Sequence, residues 1–224
     1  MSQISINGLP FGREDEAAGV LARAFVTNPL HVRVFGPNQI AANEIFFRIG
    51  LNAMKGSKLA AVDGSRILGV IHWVHSSNCQ FSATEKLKTF PAMVKGFGLR
   101  SALKVANWLS VWSKNDPAEH HLHLGPIGVS PEAQGHRIGR RLMEQYCSEL
   151  DRTRNVGYLE TDRPTNVDFY RKFGFEVTGT TSIEGVLNYF MRRNAKGSVA
   201  SKRRRASSLT ACRVERLKHP ECPC

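Results

Sequence analysis

The chain predicts an α/β domain, a central sheet with helices packed over it, and three observations carry that expectation. Two alternating apolar runs, residues 58–62 and 67–75, flank Asp63-Gly64, which is a hairpin signal. A third run, 121–129, leads into a turn bearing Gln134, Gly135 and Gly139 and then into an amphipathic helix. A fourth, 156–161, is followed by a short helical stretch and two further runs, 175–180 and 186–192, joined around Gly185. With 224 residues, 42% hydrophobic and 22% charged, the chain is long enough to bury one sizeable core of this kind.

The elements follow in order. Residues 15–26 place Ala18, Leu21, Ala22 and Phe25 at helical spacing, and 38–54 do the same with Ile45, Phe46 and Ile49 before stopping near Gly56. In the 67–75 run Val70, His72 and Val74 alternate with Ile71 and Trp73, as expected of a strand inside an antiparallel sheet. Residues 83–114 form a long, basic, helical insertion with breaks expected at Pro91 and around Gly96 and Gly98. It brings Phe90, Phe97, Trp108 and Trp112, which suit a cover on the core, a membrane-surface face, or the wall of a substrate pocket.

The 121–129 strand changes phase. Leu122 and Leu124 hold one side of the alternation, Ile127 and Val129 the other, with Gly125-Pro126 between them. A period of two shifts only through an extra residue, so a β-bulge belongs there, and Pro126 cannot donate to a ladder. This strand is therefore expected to splay from a neighbour. The helix that follows carries Leu142, Met143, Tyr146, Cys147 and Leu150 on one stripe. Thr165, with Asp168 three residues on, is the expected cap of the short helix after 156–161, and Gly174 its stop.

Charge and cysteine usage bound the setting. Of the net charge of +12, half falls in residues 195–224, where eight basic side chains face two acidic ones. From residue 194 the pattern dissolves into Ser, Lys, Arg and Pro, so the domain is read as 1–193 and the remainder, 194–224, as a basic disordered tail. SKRRRAS in that tail suggests a localisation signal, phosphorylation at Ser207 or Ser208, or non-specific attraction to nucleic acid or another acidic partner. Five cysteines, three of them in the tail, do not form a disulfide framework. The first residues lack a secretory pattern and no apolar run has the length of a membrane span, so a cytoplasmic setting is expected, with a nuclear address left open by the tail.

The chemistry begins at the glycine turn, 127–142, IGVSPEAQGHRIGRRL. The first N–H groups of a helix lack intrahelical partners, and with the macrodipole they attract anions. Gly135 and Gly139 let the main chain approach a pyrophosphate, and Arg137, Arg140 and Arg141 add charge around it. Glu119, His120, His121 and His123 form a row at a strand entrance that suggests a metal site, but no second cluster in the sequence completes it, and no metal is expected. Cys147 lies on the apolar stripe with no base near it in sequence, so it is read as a small core residue rather than a nucleophile.

With the bulged strand, the glycine turn and NVDFYRKFGF in view, residues 122–193 resemble the GNAT superfamily of acetyl-CoA-dependent N-acetyltransferases. Within it, YLETDRPTNVDFYRKFGFEVTG is similar to small-molecule acetyltransferases of the puromycin N-acetyltransferase type. The resemblance implies a mixed, mostly antiparallel sheet whose splayed pair of strands admits acetyl-CoA as co-substrate. It puts Ile127, Gly128 and Val129 against the pantetheine arm and Gln134, Gly135, His136, Arg137, Ile138, Gly139 and Arg140 around the diphosphate. Arg137 stands where the family usually has Gly; it is expected in the helical region, with Gly135 taking the turn. Asn166 and Tyr170, four apart, share a helix face, with Asn166 toward the arm and Tyr170 as general acid for the departing thiolate. Glu160 either accepts the proton of the attacking amine or binds a cationic substrate, and the N–H of Val129 or its neighbour holds the oxyanion. Direct transfer to a primary amine of a small molecule follows, in a monomer or homodimer. Acetylation of a protein or peptide amine, a catalytically silent acyl-CoA binder and a nucleic-acid or acidic-partner module are the alternatives.

Overall fold

A computed structural model describes residues 4–197. The strands are β1 (Ser5–Gly8), β2 (Ser57–Asp63), β3 (Arg66–His75), β4 (His121–Val129), β5 (Val156–Thr161), β6 (Glu176–Ile183) and β7 (Val186–Arg193). They form one sheet in the order β1-β2-β3-β4-β5-β7-β6, antiparallel throughout except for the parallel pair β4–β5. Asp63-Gly64 makes the expected hairpin, with Asp63 opposite Arg66. Glu184 and Gly185, both at positive φ, turn β6 into β7, the backbone twist that two-residue hairpins favour. The strand Ser5–Gly8 had no signal in the sequence.

The helices are α1 (Glu14–Phe25), α2 (Pro29–Phe35), α3 (Ile40–Ala53), α4 (Ala83–Phe97), α5 (Leu99–Asn115), α6 (Ile138–Thr153) and α7 (Pro164–Arg171). β3 is buried on both faces, and its alternation separates two cores. Val70 points with Leu21 and Phe47 into the layer under α1 and α3, whereas Ile71 and Trp73 pack with Leu142, Met143 and Tyr146 of α6. A third cluster, around Trp108, Val105, Met93 and Leu30, joins α2 to the insertion.

Two local expectations are corrected. Pro91 does not break the insertion: α4 runs through it, with Phe90, Met93, Val94 and Phe97 in the third cluster holding both sides, and the break falls at Gly98, φ 83°. Thr165 does not cap α7: Pro164, whose missing N–H suits a first helical position, starts the helix two residues earlier than that cap would, with Arg163 at the cap. The insertion covers the core, as one of its readings expected, and also lines a cavity. Among the described residues no helix is long and apolar enough to cross a membrane. The tail beyond residue 197, with Ser207, Ser208, Cys212, Cys222 and Cys224, lies outside them.

Gly128 is held by packing. A Cβ there would stand 2.9 Å from Leu21 Cδ2 and 3.0 Å from the Ala24 Cβ, so α1 lies directly on the β4 backbone. Gly128→Ala should push α1 away and lower stability by about 1–3 kcal/mol in chemical denaturation, the usual cost of overpacking; an unchanged midpoint would show that α1 yields freely.

Candidate functional site

The splay predicted from the phase change is present. Ile71 pairs with Ile127 and Trp73 with Leu124, so Gly125 and Pro126 together oppose His72 alone, which is a bulge. β4 pairs with β5 only from His121 to His123 and then continues along β3, while β5 follows β7. From Leu124 to Val129 the β5 side of β4 has no strand partner among the described residues. The gap opens into a cavity of about 700 Å³. Its floor includes Ile127, Glu160, Asn166 and Tyr170, and its walls come from α3, α4 and α5.

At one end of the gap, Pro131–Ala133 makes a single 3-10 turn and the chain passes through Gln134 to α6. Gly135 takes the turn at φ 83°, as expected. Arg137 does not take the helical region: it caps α6 in the left-handed conformation, φ 59°. The turn from the extended Gln134 into α6 uses two left-handed residues, Gly135 and Arg137, the second at about 1–2 kcal/mol because it has a Cβ. Arg141 N–H is bonded to Arg137 O, leaving the N–H groups of Ile138, Gly139 and Arg140 without helical partners, and no acidic side chain sits in this first turn. A Cβ on Gly139 would meet only Val129 Cγ2 at 3.6 Å, and one on Gly135 would meet nothing within 4 Å. Packing therefore does not explain Gly139. Gln134 Nε2 donates to Val129 O at 3.2 Å, closing the loop onto β4, and His136 Nδ1 lies 3.1 Å from Gln134 O. Arg140 pairs with Glu144, and Arg141 reaches back to Ile4 O.

The other end is enclosed. Tyr170, on α7, is 6% exposed and packs on Phe169 and Phe175. Tyr146 and Tyr158 spend their hydroxyls on Leu122 O (2.6 Å) and Asn115 O (2.9 Å), but the Tyr170 hydroxyl has no protein partner among the described residues. Burial, then Asp162 and Glu160, push its pKa well above the usual phenol range. Asn166 Nδ2 donates to Thr161 Oγ1 at 3.2 Å, fixing it beside β5.

Glu160 is only 2% exposed, and its Oε2 lies 2.9 Å from His123 Nε2 while Oε1 has no hydrogen-bond partner among the described residues. Burial opposes a charge on His123, but Glu160, Cys79 and Asp116 outweigh it and hold the imidazole pKa up at about 10. The histidine row thus contributes to the site through His123, a coupling the sequence did not disclose because Glu160 lies 37 residues away. Asp162 was also missed. It accepts Leu30 N–H at 2.7 Å and Asn28 Nδ2 at 3.3 Å, capping α2 from the end of β5. Asn28-Pro29 is a helix-start signal, but α2 has only seven residues, too few for a periodicity. Cys147 behaves as read: burial raises its thiol pKa to about 11, which keeps it protonated and inert.

Residues 103–177 match the family model for the acetyltransferase (GNAT) domain. Among curated proteins the chain is similar to the N-alpha-acetyltransferase RimI of Mycobacterium tuberculosis, 36% identical over 94 residues, which is 39% of this chain and 56% of that relative; it thus spans about half of the relative's length. Among solved structures it is similar to a Corynebacterium glutamicum protein described as histone acetyltransferase HPA2 and related acetyltransferase (TM-score 0.67, 19% identity, 89% of this chain and 99% of that one). It is also similar to polyamine N-acetyltransferase of Drosophila melanogaster (TM-score 0.59, 13% identity, 86% and 100%). The family match covers about a third of the chain, and the likeness to the two solved structures, at 19% and 13% identity, is one of fold.

Proposed function

We propose that the protein transfers an acetyl group from acetyl-CoA directly to a primary amine of a small molecule with an apolar body. The observation that carries this reading is the single cavity that joins the unpaired edge of β4 to an aromatic chamber under α4 and α5. The edge at Ile127, Gly128 and Val129 takes the pantetheine arm as an added strand, and Asn166 steadies it. Gln134, Gly135, His136, Arg137, Ile138, Gly139 and Arg140 receive the diphosphate on free N–H groups and positive charge.

The amine nitrogen attacks the thioester carbonyl, forming the C–N bond, and the N–H of Val129 or its neighbour holds the oxyanion. The C–S bond then breaks, and the sulfur takes the Tyr170 proton. Glu160, with Oε2 tied to His123 and Oε1 free, accepts the proton lost by the amine, directly or through a water. Phe46, Phe90, Trp108 and Trp112 line the acceptor chamber, while Glu160 and Asp162 lie at its polar end, which suits an amine attached to an apolar or aromatic body.

A second reading, acetylation of a protein α-amine, is favoured by the identity to RimI. A thiol-release assay with acetyl-CoA separates the two. Arylalkyl amines and aminonucleosides should exceed N-terminal peptides in kcat/KM by about 10-fold or more, the scale of apolar discrimination in a pocket. Faster turnover of peptides would move the acceptor to protein amines, and an absence of acetyl-CoA binding would remove both readings.

A further inference from the structure

The histidine row is completed in three dimensions. Cys79 follows the 3-10 turn Ser76–Asn78 at the end of β3, Asp116 ends α5, and His121 and His123 begin β4. One donor atom from each of the four lies within 4.8 Å of the others. Cys79 Sγ is 3.5 Å from Asp116 Oδ2, and His123 Nδ1 is 3.6 Å from Asp116 Oδ1. Bonds of 2.0–2.3 Å in a tetrahedron put neighbouring donors roughly 3.3–3.7 Å apart.

Three donors in this cluster, Asp116 Oδ1, His121 Nε2 and His123 Nδ1, are buried without a hydrogen-bond partner among the described residues. His121 is 2% exposed. An orphaned polar atom at that depth is destabilising, and three gathered in one cluster are more so unless something satisfies them together.

The outer partners select the lone pairs. His121 Nδ1 is 2.8 Å from Glu119 O and His123 Nε2 is 2.9 Å from Glu160 Oε2, both acceptors, so these nitrogens carry the protons. That leaves His121 Nε2 and, once a metal ion displaces its proton, His123 Nδ1 to serve as ligands, the arrangement that orients histidine ligands in metal sites. Asp116 and Glu160 make the neighbourhood negative, and a set of one thiolate, two imidazoles and one carboxylate suits zinc.

We propose that Cys79, Asp116, His121 and His123 bind one zinc ion in a closed structural site. The sequence stretch between Cys79 and Asp116 contains all of α4 and α5, so the ion fastens both ends of the insertion to β4. This inference goes beyond acetyl transfer and stands on the four ligands alone.

The test uses the full-length chain carrying Cys212→Ser, Cys222→Ser and Cys224→Ser, so that tail thiols cannot contribute metal binding. After equilibration with zinc and desalting, elemental analysis should find about one zinc per chain. After exchange into Co(II), the protein should show the visible bands of a tetrahedral site and a near-ultraviolet sulfur-to-cobalt transition. Cys79→Ser should lose the sulfur transition, His121→Ala should lose stoichiometric zinc, and Cys147→Ser should retain both signals. Circular dichroism of each variant confirms that it is folded. Less than about 0.1 zinc per chain in the folded parent, or an unchanged cobalt spectrum in Cys79→Ser, would overturn the site.

Discussion

Tyr170→Phe is expected to lower kcat by about 10²–10³ with a good amine acceptor while leaving the acetyl-CoA dissociation constant within about twofold, the range for loss of a placed general acid. The substitution removes one oxygen from a ring whose packing against Phe169 and Phe175 it preserves. Because that hydroxyl has no protein partner among the described residues, its loss strands no buried group there and the fold should be untouched. The raised pKa keeps the proton in place through neutral and mildly alkaline pH, as a donor to a departing thiolate requires. A readout specific to this role is the leaving group. An acetyl thioester of a more acidic thiol needs less protonation as it departs, so it should recover much of the lost rate in the variant. Equal losses with both thioesters would assign Tyr170 to positioning, and undiminished turnover would remove it from the reaction.

Stability should fall as pH drops from about 6.5 to about 4, by an amount on the order of 3 kcal/mol from His31 alone. His31 is buried among the rings of Phe25, Phe35, Phe46, Phe47 and Trp108, at centroid distances of 5.1–5.9 Å. Its polar partner is Asn43, whose Nδ2 is committed to Gln39 O, so Oδ1 accepts the proton of His31 Nδ1. Burial lowers the imidazole pKa from 6.5 to about 4, with the Asn43 bond opposing part of the shift. The unfolded chain therefore takes up a proton first, near pH 6.5, and gains ground until the folded state also protonates near pH 4; below that the contribution is flat. Urea titrations at pH 7, 6, 5 and 4 on the parent and on His31→Phe/Asn43→Leu measure it. The stability of the parent relative to the variant should fall steadily as pH drops through this window. A constant difference would show that His31 titrates normally, with water reaching it through the cavity.

Features written in contiguous residues were legible before any coordinates. The Asp63-Gly64 hairpin, the phase change at Gly125-Pro126 and the stripe on α6 each depend on spacing along the chain, and each stands where spacing put it. Short elements were not: the four residues of β1 and the seven of α2 hold too few repeats for a period to register. The conformation of Arg137 was not legible because Gly135 could account for one left-handed residue and nothing in the sequence marks a second. The histidine row was visible, but Cys79 and Asp116 reach it only after two helices have folded between them. The Glu160–His123 pair, the Asp162 cap on α2 and the ring of aromatics around His31 are likewise products of convergence, which a single sequence does not display.

The open edge of β4 has a consequence for the handling of the protein. Unpaired strand edges invite other strands, and Leu124 to Val129 offers one inside a groove that another extended segment could enter. Gly125-Pro126 blunts this by bending the edge and withholding a donor, which guards against self-association along the groove. A bound pantetheine arm would cover the same groups and add stability in proportion to its saturation. Purification and storage with coenzyme A should therefore protect the chain from aggregation as well as from unfolding.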